Sequence, residues 1–228
     1  MKAPIAVALD APDLDTARRW ALATAPVVDT LKVGLEAYLR DGAAAVAAVR
    51  ESDARLFLDL KLHDIPNTVA GAARSIAAYE PDFLTVHASG GRAMIAAAAE
   101  ALPHTRITAV TILTSLTADD LEEIGFAADP VSCVVRLAQL AVESGARAIV
   151  CSPQEVAAVR AAVPGDITLI TPGVRPAGAD LGDQQRVATP EQALADGADL
   201  VVIGRPITGA SDPAAAASAL AKALGGLR

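Results

Sequence analysis

Aromatic residues are scarce in this chain, where Phe, Trp and Tyr together make up 3% of 228 residues. Hydrophobic residues nevertheless reach 53%, so a sizeable core must be built from Ala, Val, Leu and Ile. Cysteine is also rare: Cys133 and Cys151 are the two in the chain, and their spacing fits neither a disulfide framework nor a metal-binding motif. We expect both to be buried as small hydrophobic residues in a reducing cytosol.

An excess of basic residues is missing as well, since the formal net charge is −8. A nucleic acid is therefore not expected as a partner, because phosphate backbones require a basic surface. A small phosphorylated ligand is still compatible, since it needs only a few local donors. No secretory signal precedes the first apolar run, and no apolar stretch is long enough to span a membrane, so we expect a cytoplasmic protein without membrane contact.

Short apolar segments alternate with longer Ala-rich segments along the whole chain, which is typical of repeated βα units with a buried parallel sheet. Eight strands are predicted, at Ile5–Asp10, Val28–Gly34, Arg55–Lys61, Phe83–His87, Ile107–Leu113, Ala148–Cys151, Ile167–Thr171 and Leu200–Ile203. Helices are expected from near Asp13, over residues 36–51, and from near Pro66, Gly91, Pro130, Pro153 and Pro213.

Eight such units predict an α/β fold, a single (β/α)8 TIM barrel that forms one catalytic domain over residues 1–228. The alternative is an open doubly wound sheet. That fold would favour a G-x-G-x-x-G turn after an early strand, and the sequence has none.

The segment Asp59-Leu-Lys-Leu-His-Asp64 places two carboxylates around one lysine at the end of the third predicted strand. Side chains alternate along a strand, so Asp59 and Lys61 are expected on the same face, with Asp64 in the loop beyond. Such an array is unfavourable to desolvate and therefore indicates a functional site. The alternative interpretation is an ion pair that serves only structure.

Other polar residues also lie at predicted strand ends, where barrel active sites form. They are Asp10, Lys32, His87, Thr114, Thr171 with Gly173, and Gly204 with Arg205. Some have simpler explanations: Asp10 could cap the following helix, Lys32 could extend from the rim into solvent, and His87 is expected to be a hydrogen-bonded core histidine.

The last two strand ends predict a phosphate site. Gly204 allows backbone amides to approach an anion, and Arg205 adds a bidentate donor. Barrels often bind phosphate with the loops after strands seven and eight. The seventh loop supplies Arg175 and Gln184, which could close over the same group.

Taken together, these segments resemble the orotidine 5′-monophosphate decarboxylase family, in its bacterial branch. The matching segments are Leu31-Lys-Val-Gly34, Asp59-Leu-Lys-Leu-His-Asp-Ile-Pro-Asn-Thr68, Thr85-Val-His-Ala-Ser-Gly-Gly91, Val110-Thr-Ile-Leu-Thr-Ser115, Thr171-Pro-Gly-Val-Arg175, Gly182-Asp-Gln184 and Val202-Ile-Gly-Arg205.

The resemblance implies an enzyme that converts orotidine 5′-monophosphate to uridine 5′-monophosphate and CO2, the last step of UMP synthesis, without cofactor or metal. Lys61 would donate a proton to C6 of the pyrimidine, and Asp59 would lie against the substrate carboxylate. Lys32 and Asp10 would hold the ribose hydroxyls and orient the charged groups.

The remaining implied roles concern the rest of the nucleotide and a second subunit. Asp64 would reach the neighbouring active site of a homodimer, and Ile65 and Thr68 would line that shared site. Thr114 would contact the pyrimidine edge. The phosphate end would be held by Arg175, Gln184, Gly204 and Arg205.

Two alternatives stay open. Sugar-phosphate decarboxylases and hexulose-phosphate synthases resemble the Asp-x-Lys-x-x-Asp pattern but typically bind magnesium, and the run from Ile65 to Thr68 fits the orotidylate enzymes better. A nucleotide-binding barrel without activity is the other, although it would not need Lys61 between two carboxylates.

Overall fold

Eight parallel strands close into a barrel in the computed structural model, which describes residues 2–126, 129–175 and 188–225. Each strand pairs with the next one in sequence, and the last pairs with the first. The strands are β1 (Ala3–Ala8), β2 (Val28–Gly34), β3 (Arg55–Leu62), β4 (Phe83–His87), β5 (Arg106–Val110), β6 (Ala148–Val150), β7 (Thr168–Thr171) and β8 (Leu200–Ile203).

Helices follow every strand, which completes the (β/α)8 pattern and confirms the predicted fold; the open-sheet alternative was wrong. In the described residues they are α1 (Leu14–Thr24), α2 (Leu35–Asp41), α3 (Ala43–Arg50), α4 (Pro66–Ser75), α5 (Gly91–Ala101), α6 (Ala118–Glu123), α7 (Pro130–Glu143), α8 (Val156–Ala162), α9 (Pro190–Ala195), α10 (Arg205–Thr208) and α11 (Pro213–Gly225).

The predicted bounds of β2, β4 and β8 agree with the structure, and the other strands differ only at their ends. One predicted helix was wrong. Residues 36–51 form two helices, α2 and α3, which meet at Gly42 with φ 54°. Only glycine adopts this left-handed conformation freely, so the chain turns there instead of continuing the helix. The helix predicted from Pro153 begins at Val156.

Apolar side chains form two separate clusters, because strand residues alternate between the two faces of the sheet. The larger cluster joins strands to helices and contains Ile5 and Val7 of β1. The smaller one contains Ala6, Phe57 and Ile170 among its members, and thus fills the barrel interior. Ala, Val, Leu and Ile dominate the larger cluster, as the composition predicted, whereas the smaller one also contains Phe57 and Phe83.

Neither Cys133 nor Cys151 forms a disulfide, and both are buried, as expected. Burial raises the pKa of the Cys151 thiol to about 12, so this group is not a reactive thiolate. None of the helices in the described part of the chain has the length and apolar character that a membrane span requires.

Candidate active site

A cavity of about 530 Å³ opens at the carboxyl ends of the strands. The interior cluster forms its floor, since Phe57, Val150 and Val202 belong to both. Eight of the predicted site residues line this cavity: Asp10, Lys32, Asp59, Lys61, Thr114, Arg175, Gly204 and Arg205. The order of the strands in the barrel therefore brings together residues that are up to 195 positions apart in sequence.

Four charged side chains form a continuous array inside the cavity. The Asp59 carboxylate contacts two ammonium groups, since Oδ1 lies 2.8 Å from Lys61 Nζ and Oδ2 lies 3.2 Å from Lys32 Nζ. Lys32 Nζ also lies 3.7 Å from Asp10 Oδ1. The Lys32 side chain is only 9% exposed, so the suggestion that it extends into solvent was wrong.

Asp59 is ionised in this environment despite its burial. Burial alone would raise the pKa of the Asp59 carboxyl, but the Lys32 and Lys61 ammonium groups outweigh it and hold the pKa below its usual value. The array therefore keeps a fixed negative charge between two positive charges in a partly desolvated cavity, where electrostatic interactions are stronger than in water.

Asp10 belongs to this array and does not cap a helix. The N-cap of α1 is Asp13, whose carboxylate accepts a hydrogen bond from the Thr16 N–H at 2.7 Å. Gly34 gives Asp10 and Lys32 the space they occupy, because a Cβ on this residue would lie 2.6 Å from Asp10 Oδ1 and 2.9 Å from Lys32 Nζ.

Lys61 reaches the array through an irregular backbone. Its φ is 47°, and the pairing of β3 with β4 shifts between Leu58 and Leu62. The expectation that Asp59 and Lys61 lie on the same side is correct, but regular strand alternation does not explain it. Left-handed backbone at a residue with a Cβ is unfavourable, and such conformations concentrate at functional sites.

Asp64, Ile65 and Thr68 do not line the cavity of their own barrel. All three are exposed on the segment that leads into α4. The Asp64 carboxylate accepts the Ile65 N–H at 2.6 Å, and no basic side chain in the described parts of the chain forms an ion pair with it. Asp64 thus does not complete the charged array of its own chain.

Across the barrel from β3, Arg175 follows β7, while Gly204 follows β8 and precedes Arg205, the first residue of α10. The backbone on either side of the seventh loop is fixed by the Arg175 N–H, which donates to the Ala188 carbonyl at 2.9 Å. Gln184 lies outside the described residues. Arg175 and Arg205 thus follow neighbouring strands, and β7 is four strands away from β3, which carries Asp59 and Lys61.

The sequence interpretation missed other residues near the array. Thr208 lines the cavity one helical turn after Arg205, a spacing that could have indicated it. Thr85 on β4 contacts both Asp59 and Lys61. Thr85 lies in one of the segments that match the family, but no role was assigned to it from the sequence.

His87 differs from the expected core histidine. It is half-buried, its ring lies 5.4 Å from that of His63, and it does not line the cavity. The pKa of His87 is lowered mainly by burial, and the charges of the nearby His63 and Lys61 lower it further. In the described residues its side chain makes no hydrogen bond.

Comparison with known proteins gives a consistent result over nearly the whole chain. The model of the Orotidine 5′-phosphate decarboxylase / HUMPS family matches residues 3–220. The chain is 68% identical to an orotidine 5′-phosphate decarboxylase of Thermobifida fusca over 98% of this chain and 97% of that protein. It is 57% identical to the protein of the same name from Anaeromyxobacter sp. strain K, over 96% of this chain and 97% of that one.

Two solved structures are similar to this chain over nearly its whole length. An orotidine 5′-phosphate decarboxylase from Lactobacillus acidophilus superposes with a TM-score of 0.84 at 35% identity, over 97% of this chain and 98% of that chain. An uncharacterized conserved protein from Geobacillus kaustophilus gives 0.83 at 37% identity, over 96% and 99%. On the family match and these full-length relatives, the chain belongs to the orotidine 5′-phosphate decarboxylase / HUMPS family.

Proposed function

We propose that this chain is a carboxy-lyase that converts orotidine 5′-monophosphate to uridine 5′-monophosphate and CO2. The observation that carries the proposal is the Asp59 carboxylate held between Lys32 and Lys61 at the mouth of the barrel. The names of the full-length relatives support the same substrate.

Loss of CO2 from C6 of the pyrimidine leaves an electron pair in the plane of the ring, where no adjacent π system can delocalise it. A positive charge fixed next to C6 would stabilise this carbanion, and an ammonium group can also supply the proton that ends the reaction. Lys61 takes both roles in the proposal. Its ion pair with Asp59 at 2.8 Å fixes the ammonium group before substrate binds.

Asp59 and its other neighbours orient the substrate. In the proposal, Asp59 lies against the substrate carboxylate, and Lys32 with Asp10 holds the ribose hydroxyls. The distances of 3.2 Å and 3.7 Å from Lys32 Nζ to the two carboxylates support a connected array rather than independent groups. Thr114, which lines the same cavity, contacts the pyrimidine edge.

The phosphate of the nucleotide binds at the other end of the cavity. Arg175, Gly204 and Arg205 line the cavity and would hold the phosphate. The proposal also assigns a phosphate contact to Gln184, which lies outside the described residues. Binding energy from a remote phosphate can be used to orient the reacting end of the substrate. This matters because large enzymatic accelerations correspond to roughly 8–23 kcal/mol, more than a single lysine supplies.

A homodimer completes the site. Asp64, Ile65 and Thr68 are exposed on one segment, and the Ile65 side chain is left 67% exposed. A second copy of the chain would cover this apolar residue and bring its Asp64 to the Lys61 of the first copy. We also place the enzyme in the cytoplasm, where the thiols of Cys133 and Cys151 would stay reduced.

The magnesium-dependent sugar-phosphate branch is the alternative, because the family model spans both branches. One experiment distinguishes orotidylate decarboxylation from sugar-phosphate activity. Orotidine 5′-monophosphate is mixed with purified protein and a chelator, and the absorbance of the substrate is followed. We expect loss of substrate absorbance with formation of uridine 5′-monophosphate. No change with folded protein, together with turnover of sugar phosphates in magnesium, would contradict the proposal; uridylate binding without any turnover would favour a non-catalytic barrel.

The shared site is tested with hybrid dimers of Asp64→Asn and Lys61→Ala chains. Each hybrid carries one site with both residues intact, so mixing two inactive proteins should restore about a quarter of the wild-type activity per chain. Absence of recovery in hybrids of verified composition would refute the role of Asp64 in the neighbouring site.

A further inference from the structure

Thr85 connects both members of the Asp59–Lys61 pair through one hydroxyl group. Its Oγ1 accepts a hydrogen bond from the Lys61 backbone N–H at 2.8 Å and donates to Asp59 Oδ1 at 3.1 Å. The same Asp59 oxygen accepts from Lys61 Nζ at 2.8 Å. The backbone and the ammonium group of Lys61 are therefore joined in a closed ring through Thr85 and Asp59.

The Thr85 hydroxyl accepts a hydrogen bond that a backbone carbonyl would accept in a regular sheet. Between Leu58 and Leu62, β3 advances four residues while β4 advances only two, from Leu84 to Val86. Thr85 is the residue between those two on β4, and it is fully buried. The Lys61 N–H has no regular partner at such an irregularity, and a buried N–H requires one. The Thr85 side chain supplies it.

The bond also fixes an unfavourable backbone conformation. Lys61 has φ 47°, which a residue with a Cβ adopts only where its surroundings impose it. If Lys61 adopted an ordinary negative φ, its side chain would point in another direction, since the direction of the Cα–Cβ bond depends on φ and ψ. The position of the ammonium group therefore depends on a hydroxyl group 24 residues further along the chain.

We infer that Thr85 is a positioning residue, which holds Lys61 in its left-handed conformation and orients the Asp59 carboxylate so that the ammonium group lies at the reacting carbon. The inference rests on the proposed function, because it assigns Lys61 the proton transfer. Thr85 does not line the cavity, so it acts through Lys61 and Asp59 rather than on substrate.

The variant that tests this is Thr85→Val, which keeps the shape of the side chain and removes both hydrogen bonds. Thr85→Ser keeps the hydroxyl and serves as the conservative rescue. Thr30→Val is the matched control, because Thr30 is equally buried and its hydroxyl donates to the Asp29 carboxylate at 2.8 Å, away from the cavity.

For Thr85→Val we expect kcat to fall by about 10²-fold, as a misplacement of about 1 Å does, with uridine 5′-monophosphate affinity within about threefold of wild type. Thr85→Ser and Thr30→Val should keep kcat within about threefold. The acid limb of the kcat/KM profile should move to higher pH in Thr85→Val alone, because Asp59 loses a donor to its charged form.

Folded Thr85→Val with wild-type kcat would overturn the inference, as would equal losses of kcat in Thr85→Val and Thr30→Val. If Thr85→Val does not fold, Thr85→Cys takes its place, since a thiol is a weak donor and acceptor of similar size. A reduced kcat supports the inference, and an unchanged one refutes it.

A second readout is independent of turnover: hydrogen exchange of the Lys61 amide, followed by NMR. Protection in wild type that is lost in Thr85→Val, and kept in Thr85→Ser, supports the role of Thr85 in holding Lys61. Equal protection in all three proteins overturns it. Wild-type protein that protects this amide but does not decarboxylate the nucleotide would refute the proposed function while supporting the positioning of Lys61.

Discussion

Gly34 offers a sharp test of the charged array, because a single added methyl group would enter it. Its backbone has φ −89° and ψ −177°, an extended conformation that alanine adopts without strain. The effect of Gly34→Ala therefore comes from the new Cβ alone. That atom would lie 2.6 Å from Asp10 Oδ1 and 2.9 Å from Lys32 Nζ.

The size of the effect follows from these distances. To reach an ordinary contact distance of 3.4 Å, the Asp10 oxygen must move by about 0.8 Å and the Lys32 nitrogen by about 0.5 Å. Since a misplacement of about 1 Å can reduce a rate by about 10²-fold, we expect kcat/KM to fall by roughly 10- to 10²-fold, or about 1.4–2.7 kcal/mol.

The free energy of unfolding should fall by about 0–2.6 kcal/mol, a range that overlaps the expected effect on activity. Overpacking by one methyl group destabilises the folded state by about 1–3 kcal/mol. Replacing glycine by alanine at a compatible backbone stabilises the protein by about 0.4–1 kcal/mol, because it lowers the conformational entropy of the unfolded chain. Steady-state decarboxylation and urea unfolding of the same preparations would separate the two effects. Activity lost only in proportion to unfolded protein would refute the steric argument.

The control for this experiment is Gly165→Ala, where an added Cβ meets no atom within 4 Å. We expect wild-type kcat/KM for this variant. If Gly34→Ala retains wild-type kcat/KM as well, the position of Lys32 and Asp10 does not matter for turnover, and the array would be structural.

Three further predictions concern single side chains. Lys61→Ala should abolish decarboxylation while uridine 5′-monophosphate still binds; near-normal turnover would eliminate Lys61 as the proton donor. Arg205→Ala should raise KM by about 10- to 10²-fold, the effect of losing a charged hydrogen bond of about 1.5–3 kcal/mol, and an unchanged KM would contradict its phosphate role. His87→Gln should reduce the loss of the free energy of unfolding that the wild-type protein shows as pH falls. Because burial lowers the pKa of His87, the unfolded state binds its proton more readily, so the wild-type free energy of unfolding falls as pH drops below about 6.5. Urea unfolding at several pH values from 8 to 5 measures this; an identical decline in both proteins would exclude His87 as its source.

The barrel could be predicted because its strands are local features of the sequence. Parallel strands that are covered on both faces appear in the sequence as uninterrupted apolar runs. The predicted bounds of β2, β4 and β8 therefore agree with the structure. Polar residues at the ends of such runs must meet at one mouth of a closed barrel. For this reason Asp10, Lys32, Asp59 and Lys61 were predicted to converge, and they do. The break of one helix at Gly42 was missed, since a glycine in an alanine-rich run does not by itself reveal a left-handed turn.

The details of the array depend on contacts between distant segments. Strand alternation predicts the side on which Lys61 lies, but its left-handed backbone results from the shifted pairing of β3 with β4 and the hydroxyl of Thr85. The bridging of two lysines by Asp59 depends on the spacing of β2 and β3 in the barrel. The sequence by itself therefore determined which residues reach the mouth, because burial and alternation are local. Only the tertiary structure decided which atoms touch, because hydrogen bonds and ion pairs depend on sub-ångström distances between segments that the fold brings together.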